Sequence, residues 1–416
     1  MGSFPVEKFL EYHAKACAFM KKSSSPQFTP EQELLLWSIR VDHTKDQQIE
    51  EILKDGVDWN YVRKTAIQHG IIPLLYKRLK EDMGDLLPPN ELEEFRTLFM
   101  ANAAKNLRLT QQLIRVLDLL ADAGVEAMPF KGPALAVQAY GDLSMRSFCD
   151  LDILIHEKDF EKTYELLTNN GFIPFITIDS KIKKIFVILG KDFSFSGHDI
   201  HLEVHWRLTE RFFMVPINLE QFWEQRMSLM LTGKKIQTFG PEDVLIMLCI
   251  HGSLHFWQEL KWVSDLTFLI SNHPDFNWNM IIQYTEKNGL RRILAIGLFL
   301  AHEYGGIIYP SEISNIISSD EFFFYSINKI PQNFFCKEKI YLILPLYYIK
   351  SRERICDRIS CGMMCVTSEI WIPNQYDFKV IFLPPSLFLL YFIIRPFRLL
   401  KNFHTIFHTT LRSLVR

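Results

Sequence analysis

Apolar residues recur at helical spacing over both ends of the chain. Residues 1–30 predict one short helix followed by a linker, and residues 31–99 predict several helices in succession. Residues 102–123 form a strongly amphipathic segment, which predicts a helix that ends at Gly124. From Pro241 onward the spacing is helical again, so we expect both ends of the protein to be helical.

The middle of the chain breaks this pattern. Five segments there have the short apolar or alternating patterns that are typical of strands: 125–130, 151–155, 172–178, 185–189 and 200–206. Helical patterns at 133–140 and 157–169 lie between them. This mixture predicts a compact α+β unit over about residues 100–215.

The chain therefore divides into four predicted regions. They are an N-terminal helical region, an α+β core, a C-terminal helical domain and a set of apolar and basic C-terminal helices, at 1–99, 100–215, 216–375 and 376–416. The composition, 48% hydrophobic and 23% charged, is ordinary for a chain that buries a core. The net charge of −2 creates no overall field that attracts nucleic acid, so no nucleic-acid partner is expected.

Cysteine usage and the N-terminal sequence bear on the compartment. The seven cysteines are scattered and odd in number, which argues against a disulfide framework and favours reduced thiols. The N-terminal sequence is too charged and too weakly apolar for a signal peptide. We therefore expect a cytoplasmic protein.

The last forty or so residues combine apolar and basic character. The uncharged run 380–394 is shorter than the roughly 20 residues that span a bilayer and contains two prolines. It predicts a buried or interfacial helix that starts at those prolines. Residues 379–416 carry six lysines and arginines and no acid. Wound as a helix from Arg395, they predict either a peripheral anchor on the inner membrane face or a terminal helix docked on the protein.

Two aspartates in one predicted strand are the first chemical signal. Asp150 and Asp152 are two residues apart, so on a strand they project to the same face, about 6–7 Å apart. The residues that alternate with them are apolar and would enter the core, so we expect both aspartates to point out to solvent. Glu203 lies in a later strand, where Leu202 and Val204 flank it as buried residues. Carboxylates that share a face repel one another unless a cation binds between them. The three acids therefore predict a site for one or two Mg²⁺ ions.

A turn between strand and helix lies upstream of the aspartates. Gly132 in this turn lets backbone amides approach a phosphate, and the helix that follows favours anions at its N-terminus. Lys131 and Arg146 are candidate phosphate ligands. Two plainer alternatives stay open: Lys131 as a surface lysine, and Arg146 paired with an acid such as Asp142.

These elements, taken in order, resemble the nucleotidyltransferase superfamily related to DNA polymerase β. More closely, the chain resembles a bacterial family of uncharacterised nucleotidyltransferases with a Lys-Gly turn, an arginine before Asp-x-Asp and a Glu-x-His-Trp strand. The matching residues here are Lys131, Gly132, Arg146, Asp150, Asp152, Glu203, His205 and Trp206. The resemblance implies a polymerase β-like core, a mixed sheet with flanking helices, between two helical regions.

The resemblance continues outside the core, over most of residues 30–400. His251, Lys261 and Asp265 match its helical domain, which implies that they line the nucleotide pocket. The alternative is a helix pair between Lys261 and Asp265, with histidines that pack between helices. His251 and His255 are also spaced as in a zinc-protease helix, but a glycine replaces the glutamate that would act as base, which excludes that function.

The resemblance implies an enzyme that transfers a nucleotidyl group from an NTP, such as ATP, to an unknown acceptor and releases pyrophosphate. Asp150 and Asp152 would hold the metal, with Glu203 as further ligand and general base. The acceptor would be a small molecule, a saccharide precursor or a peptide. One departure is Pro133, where the superfamily usually has serine. We expect His205 to be a core histidine that bonds a backbone carbonyl.

Two other functions stay open at this point. One is a catalytically silent nucleotide-binding module that docks on a membrane or a partner protein. The other is an antitoxin-like nucleotidyltransferase that modifies a partner protein.

Overall fold

The computed structural model describes most of the chain between residues 26 and 399. The described residues are 26–177, 183, 187–188, 190–213, 215–310, 313, 320–336, 343–370, 381, 383 and 385–399. The helix predicted within 1–30 and the basic tail beyond 399 lie outside them, except for residues 26–30.

Five helices precede the sheet in the described part of the chain and confirm the helical prediction for this region. They are α1 Pro30–Trp37, α2 Asp46–Asp55, α3 Trp59–His69, α4 Ile72–Asp82 and α5 Pro89–Asp122. Helix α5 starts 13 residues earlier than expected, because Pro89 opens it and Phe95 extends its buried stripe toward the N-terminus. Its end is as predicted, since Gly124 adopts a positive φ of 69° directly after it.

A five-stranded mixed sheet follows and confirms the predicted α+β class. Its elements are β1 Ala127–Pro129, α6 Gly132–Tyr140, β2 Asp150–Ile155, α7 Phe160–Asn169, β3 Ile173–Pro174, β4 Asp192–Gly197 and β5 Ile200–His205. The strand order is β1-β2-β5-β4-β3. Strands β2 and β5 are parallel, and every other pair is antiparallel.

Two strand predictions in the core need correction, and one strand was missed. Strand β3 is only two residues long, although the amide of Phe175 after it still donates to the carbonyl of Ser194. Residues 187–188 are helical, and the carbonyl of Val187 accepts hydrogen bonds from Trp206 and Arg207 instead of joining a sheet. Strand β4 was not predicted, although Phe193 and Phe195 alternate with serines there.

A hairpin interrupts the region that the sequence predicts to be helical. Helix α8 Leu219–Glu224 leads into β6 Met227–Leu231 and β7 Lys234–Thr238, with positive φ at Thr232 and Gly233 in the turn. Thr238 Oγ1 donates a 2.7 Å hydrogen bond to the carbonyl of Pro129 in β1. The hairpin therefore packs against the edge of the main sheet.

The remaining described elements are helices, as predicted. They are α9 Pro241–Leu254, α10 Leu260–Asn272, α11 Trp278–Asn288, α12 Arg291–Gly305, α13 Glu321–Gln332, α14 Leu344–Ser351 and α15 Ile355–Ile370. A 3₁₀ turn, Pro385–Leu390, opens the predicted C-terminal helix at its proline, and residues 391–399 continue it. No helix among the described residues is long and apolar enough to cross a membrane.

The N-terminal and C-terminal helices share one apolar core. Buried residues of α1 and α4 belong to the same cluster as those of α9, α10 and α12. The amide of Val41 donates a 2.8 Å hydrogen bond to the carbonyl of Gly305 at the end of α12. A second cluster lies between α5, α7 and the sheet, and Tyr391 of the C-terminal helix is buried in it. The four predicted domain boundaries stay a prediction.

The glycine of the His-Gly-Ser-Leu-His segment has a packing role. A Cβ at Gly252 would lie 2.6 Å from the Trp257 ring, and one at Gly297 in α12 would lie 3.1 Å from it. Trp257 is fully buried in the slot that these two glycines leave open. The two glycines therefore allow α9 and α12 to pack directly against the Trp257 indole.

Asp243, in the first turn of α9, is buried without full compensation. Burial, together with the nearby Glu242, raises its pKa to about 7, and its Oδ1 has no hydrogen-bond partner in the described part of the chain. The unfolded chain loses this proton near pH 4, whereas the folded chain keeps it to about pH 7. Folding stability should therefore fall as the pH rises from 4 to 7.

Asp243→Asn removes this ionisation at nearly constant shape. We expect the variant to gain on the order of 5 °C in Tm over the wild type at pH 8 and little or nothing at pH 4, measured by thermal unfolding. Asp122→Asn, at an exposed aspartate, is the matched control. A gain that is equal at the two pH values would contradict the assignment.

Candidate active site

The pairing of β2 with β5 brings the predicted acids together. In this parallel ladder Asp152 is opposite Glu203, and Asp150 is opposite His201. Since side chains two apart share a face, Asp150, Asp152 and Glu203 project to the same side of the sheet. The sheet therefore places all three acids on one face, and their role as metal ligands stays a prediction.

Asp152 is the centre of the cluster and is only 4% exposed. We expected both aspartates to point to solvent; Asp152 is buried instead, because Lys131 and His205 cover it. Lys131 Nζ and His205 Nε2 lie 3.2 Å and 3.1 Å from its Oδ1. Burial opposes ionisation, yet these two neighbours hold the pKa of Asp152 well below its usual range.

Asp150 and Glu203 line the more open part of the cluster. Asp150 is half-buried, and its pKa is raised by burial first and then by the charges of Asp152 and Glu203. Glu203 Oε2 lies 3.3 Å from His205 Nε2. The side of the cluster that faces solvent therefore carries an excess of negative charge.

His205 has a different role from the core histidine that the sequence suggested. It is buried, but its Nε2 faces the carboxylates of Asp152 and Glu203, not a backbone carbonyl. Asp192 on β4 approaches its other nitrogen, with Oδ2 at 3.8 Å from Nδ1. The Glu-x-His spacing was the available signal, because residues two apart share a face. Asp192 was missed because β4 was not predicted.

The Lys-Gly turn places Lys131 beside the acidic residues. Gly132 has a φ of +50°, and a Cβ there would lie 3.4 Å from the carbonyl of Asp150. A larger residue would be strained in this conformation, so glycine keeps the turn close to β2. Helix α6 starts at this turn with Pro133 in its first residues. Its N-terminus therefore lies beside the carboxylates.

Arg146 and Asp265 form a buried pair with each other. Arg146 Nε and Nη2 donate to the two carboxylate oxygens of Asp265 at 2.8 Å and 2.9 Å, and Tyr140 Oη donates to Asp265 at 2.9 Å. Asn106 Nδ2 on α5 donates to the carbonyl of Arg146 at 2.7 Å. The pair joins the loop before β2 to α10. Direct nucleotide binding by either residue stays a prediction.

The other residues predicted from the helical domain lie near the acids. The rings of His251, His255 and Trp262 are in contact, and the ring centroids of His251 and His255 lie 4.5 Å apart. Burial and the charge of Lys131 lower the pKa of His251, and burial lowers that of His255 to about 4. Lys261 Nζ pairs with Glu259 at 2.6 Å. These neutral rings and Lys261 lie together where the end of α9 meets the start of α10.

One surface cavity lies away from this cluster. It has a volume of about 910 Å³ and is lined by residues of α3 and α5, among them Arg63, Ile67 and Glu94. None of the predicted site residues lines it.

Comparison with known proteins identifies the family. Residues 55–306, more than half of the chain, match the family described as uncharacterised nucleotidyltransferase. The chain belongs to this nucleotidyltransferase family. Among solved structures it is similar to an antigenic nucleotidyltransferase-like protein from Paracoccidioides brasiliensis, with 17% identity and a TM-score of 0.30 over 48% of this chain and 93% of that chain. No protein with a curated description matches it.

The side chains of this nucleotidyltransferase fit the divalent ion that its family implies. Carboxylate oxygens are the ligands that Mg²⁺ prefers. One ligand atom each from Asp152, Glu203 and His205 lies within 4.8 Å of the others. Burial raises the pKa of Asp150 first, and the charges of Asp152 and Glu203 raise it further while Lys131 opposes them. The donor set and its closely spaced carboxylates suit a bound cation.

The Arg146–Asp265 pair should be essential for the stability of this nucleotidyltransferase. Asp265→Ala leaves a buried guanidinium without its carboxylate, which should cost about 3–5 kcal/mol in the free energy of unfolding. The double variant Arg146→Met/Asp265→Leu should cost clearly less than the sum of its single changes. Urea unfolding measures both.

The exposed pair Lys234–Asp118, at 2.6 Å, is the matched control for this prediction. Asp118→Ala should cost less than about 1 kcal/mol. If Asp265→Ala costs no more than Asp118→Ala, the buried pair has no special structural role.

Proposed function

We propose that the protein is a Mg²⁺-dependent enzyme that transfers a nucleotidyl group from an NTP to an acceptor and releases pyrophosphate. The observation that carries this proposal is the in-register pairing of Asp152 with Glu203, next to Asp150. Family membership supports nucleotidyl transfer as the reaction class.

The three acids would hold the ion. Bound there, Mg²⁺ would bind the triphosphate and lower the pKa of the attacking hydroxyl. Glu203 is more exposed than Asp152, which suits a general base that must reach an incoming acceptor. Asp152 is the most buried and is held in its ionised form by Lys131 and His205, which suits a fixed ligand.

The Lys-Gly turn would bind the phosphates. Lys131 Nζ lies at the edge of the cluster, and Gly132 brings the N-terminus of α6 next to it. Pro133 supplies no hydroxyl where the superfamily has serine, so the ammonium of Lys131 would take over that contact. His251 and Lys261 would line the nucleotide pocket from the helical side.

Arg146 and Asp265 would affect nucleotide binding indirectly, because they fix the backbone of the loop before Asp150. Their mutual bonds hold the loop four residues before Asp150 against α10. They would therefore set the position of the aspartates, and with it the distance between metal ligands and phosphates.

A silent nucleotide-binding module is the second candidate function. One observation favours it: Lys131 and His205 already compensate Asp152 without an ion. An antitoxin-like enzyme that modifies a protein differs from the main proposal only in its acceptor. A single labelling experiment separates the three.

The decisive experiment incubates the full chain with each labelled NTP, Mg²⁺ and a host extract. The main proposal expects label on a small molecule, a saccharide precursor or a peptide, identified by mass spectrometry, with release of pyrophosphate. Label on a protein band would indicate the antitoxin-like function. NTP binding without pyrophosphate release would indicate the silent module.

Asp152→Asn should abolish the labelling, by about a thousandfold or more, because an amide cannot supply the charge that the ion needs. Its Tm should show that the chain still folds. Asp199→Asn is the matched control, at an exposed aspartate in the turn between β4 and β5. Retained labelling by Asp152→Asn would refute the assigned metal site.

We also propose that the C-terminal helix contacts an anionic membrane surface from the cytoplasmic side. Leu389, Ile393 and Phe397 are exposed to 76%, 54% and 68% and form one stripe at helical spacing. The chain carries only basic charges from 379 onward, which complements anionic lipid. Tyr391, buried in the core, would hold the stripe at a fixed place on the protein.

Phe397→Ser combined with Ile393→Ser should reduce the fraction that sediments with anionic phospholipid vesicles several-fold. Leu107→Ser, at an exposed leucine of α5, should not change it. Equal sedimentation of the wild type with neutral and anionic vesicles, or with none, would contradict the proposal.

A further inference from the structure

The three donor atoms that come closest together in the acid cluster are not three carboxylates. Asp152, Glu203 and His205 form one of the two groups of potential ion ligands in the described part of the chain. His205 Nε2 lies 3.1 Å from an oxygen of Asp152 and 3.3 Å from an oxygen of Glu203. Its position between two carboxylates is the position of a ligand to a shared ion.

The second nitrogen of His205 faces a carboxylate, Asp192. Nδ1 is buried and makes no hydrogen bond with a described residue, and Asp192 Oδ2 lies 3.8 Å away. Asp192 is directly opposite His205 in the antiparallel pairing of β4 with β5. Histidines that bind a metal usually donate their other N–H to a carboxylate, which fixes the orientation of the ring.

Asp192 is itself held in place. Lys191 Nζ lies 2.6 Å from Asp192 Oδ2 and 3.5 Å from Glu210. The carboxylate of Asp192 is therefore fixed by Lys191 on the Nδ1 side of the imidazole.

We infer that His205 is a metal ligand together with Asp152 and Glu203, that Asp192 orients it, and that this position binds Mn²⁺ more tightly than Mg²⁺. Mg²⁺ prefers oxygen ligands only, whereas first-row transition ions also accept imidazole. As the metal position of the catalytic centre it rests on the proposed function; as a Mn²⁺ site it is testable without any activity.

The first experiment uses the full-length wild-type protein with Mn²⁺ and no substrate. Pulsed electron paramagnetic resonance should show a ¹⁴N coupling from a directly bound imidazole, and ¹⁵N labelling of the histidines should replace it by a ¹⁵N coupling. Calorimetry should give a Kd for Mn²⁺ at least about tenfold lower than for Mg²⁺.

Variants then identify the histidine that supplies the coupled nitrogen. His205→Gln should lose the coupling and weaken Mn²⁺ binding, and Asp192→Asn should keep the coupling but weaken binding by about tenfold or more. His201→Gln is the matched control, because His201 is an exposed histidine on the same strand that contacts Ser196. It should change neither result. Thermal unfolding checks that each variant folds.

The wild-type spectrum decides the inference even if a variant does not fold. Mn²⁺ bound without nitrogen coupling, or bound no more tightly than Mg²⁺, overturns it and leaves the proposed function intact if Asp152→Asn still abolishes labelling. No binding of Mn²⁺ by the wild type, with or without NTP, overturns the inference as well. If the wild type shows the nitrogen coupling but transfers no label, the result would instead count against the proposed function alone.

Discussion

Parallel pairing of β2 with β5 is the constraint on which the rest of the site depends. It sets the buried Asp152 directly beside the half-buried Glu203. An ionised carboxylate is costly to bury unless positive groups compensate it. The Lys-Gly turn and the end of β5 supply those groups, Lys131 and His205. A slip of one residue in the register would place Glu203 opposite a leucine and separate the charges.

The helices around the sheet complete this arrangement. Helix α10 supplies Asp265, which binds Arg146 just before β2, and α5 supplies Asn106, which binds the carbonyl of the same arginine. The aspartate strand is thus held from both sides before it enters the sheet. Helix α9 adds neutral histidines to the cleft, because burial and a nearby lysine keep them uncharged.

Features that depend on neighbouring residues were predictable from the sequence. The helices before the sheet, the α6 turn at Gly132 and the two acidic strands have periodicity, glycine and proline signals within a few residues. Features that depend on distant partners were not. The role of His205 requires the register of β5 with β2, and the partner of Arg146 lies 119 positions along the chain. Strand β4 follows a segment whose apolar run resembled a strand and is helical at residues 187–188.

The ion pair between Arg146 and Asp265 has a consequence for the design of truncated versions of this protein. The α+β core looks self-contained along the sequence, but an excised fragment that ends before α10 would carry a guanidinium with no counter-charge inside its interior. It would also lose the wall that α9 and α10 provide. The smallest fragment of this protein that folds by itself must therefore extend through α10, well past the last strand of the sheet.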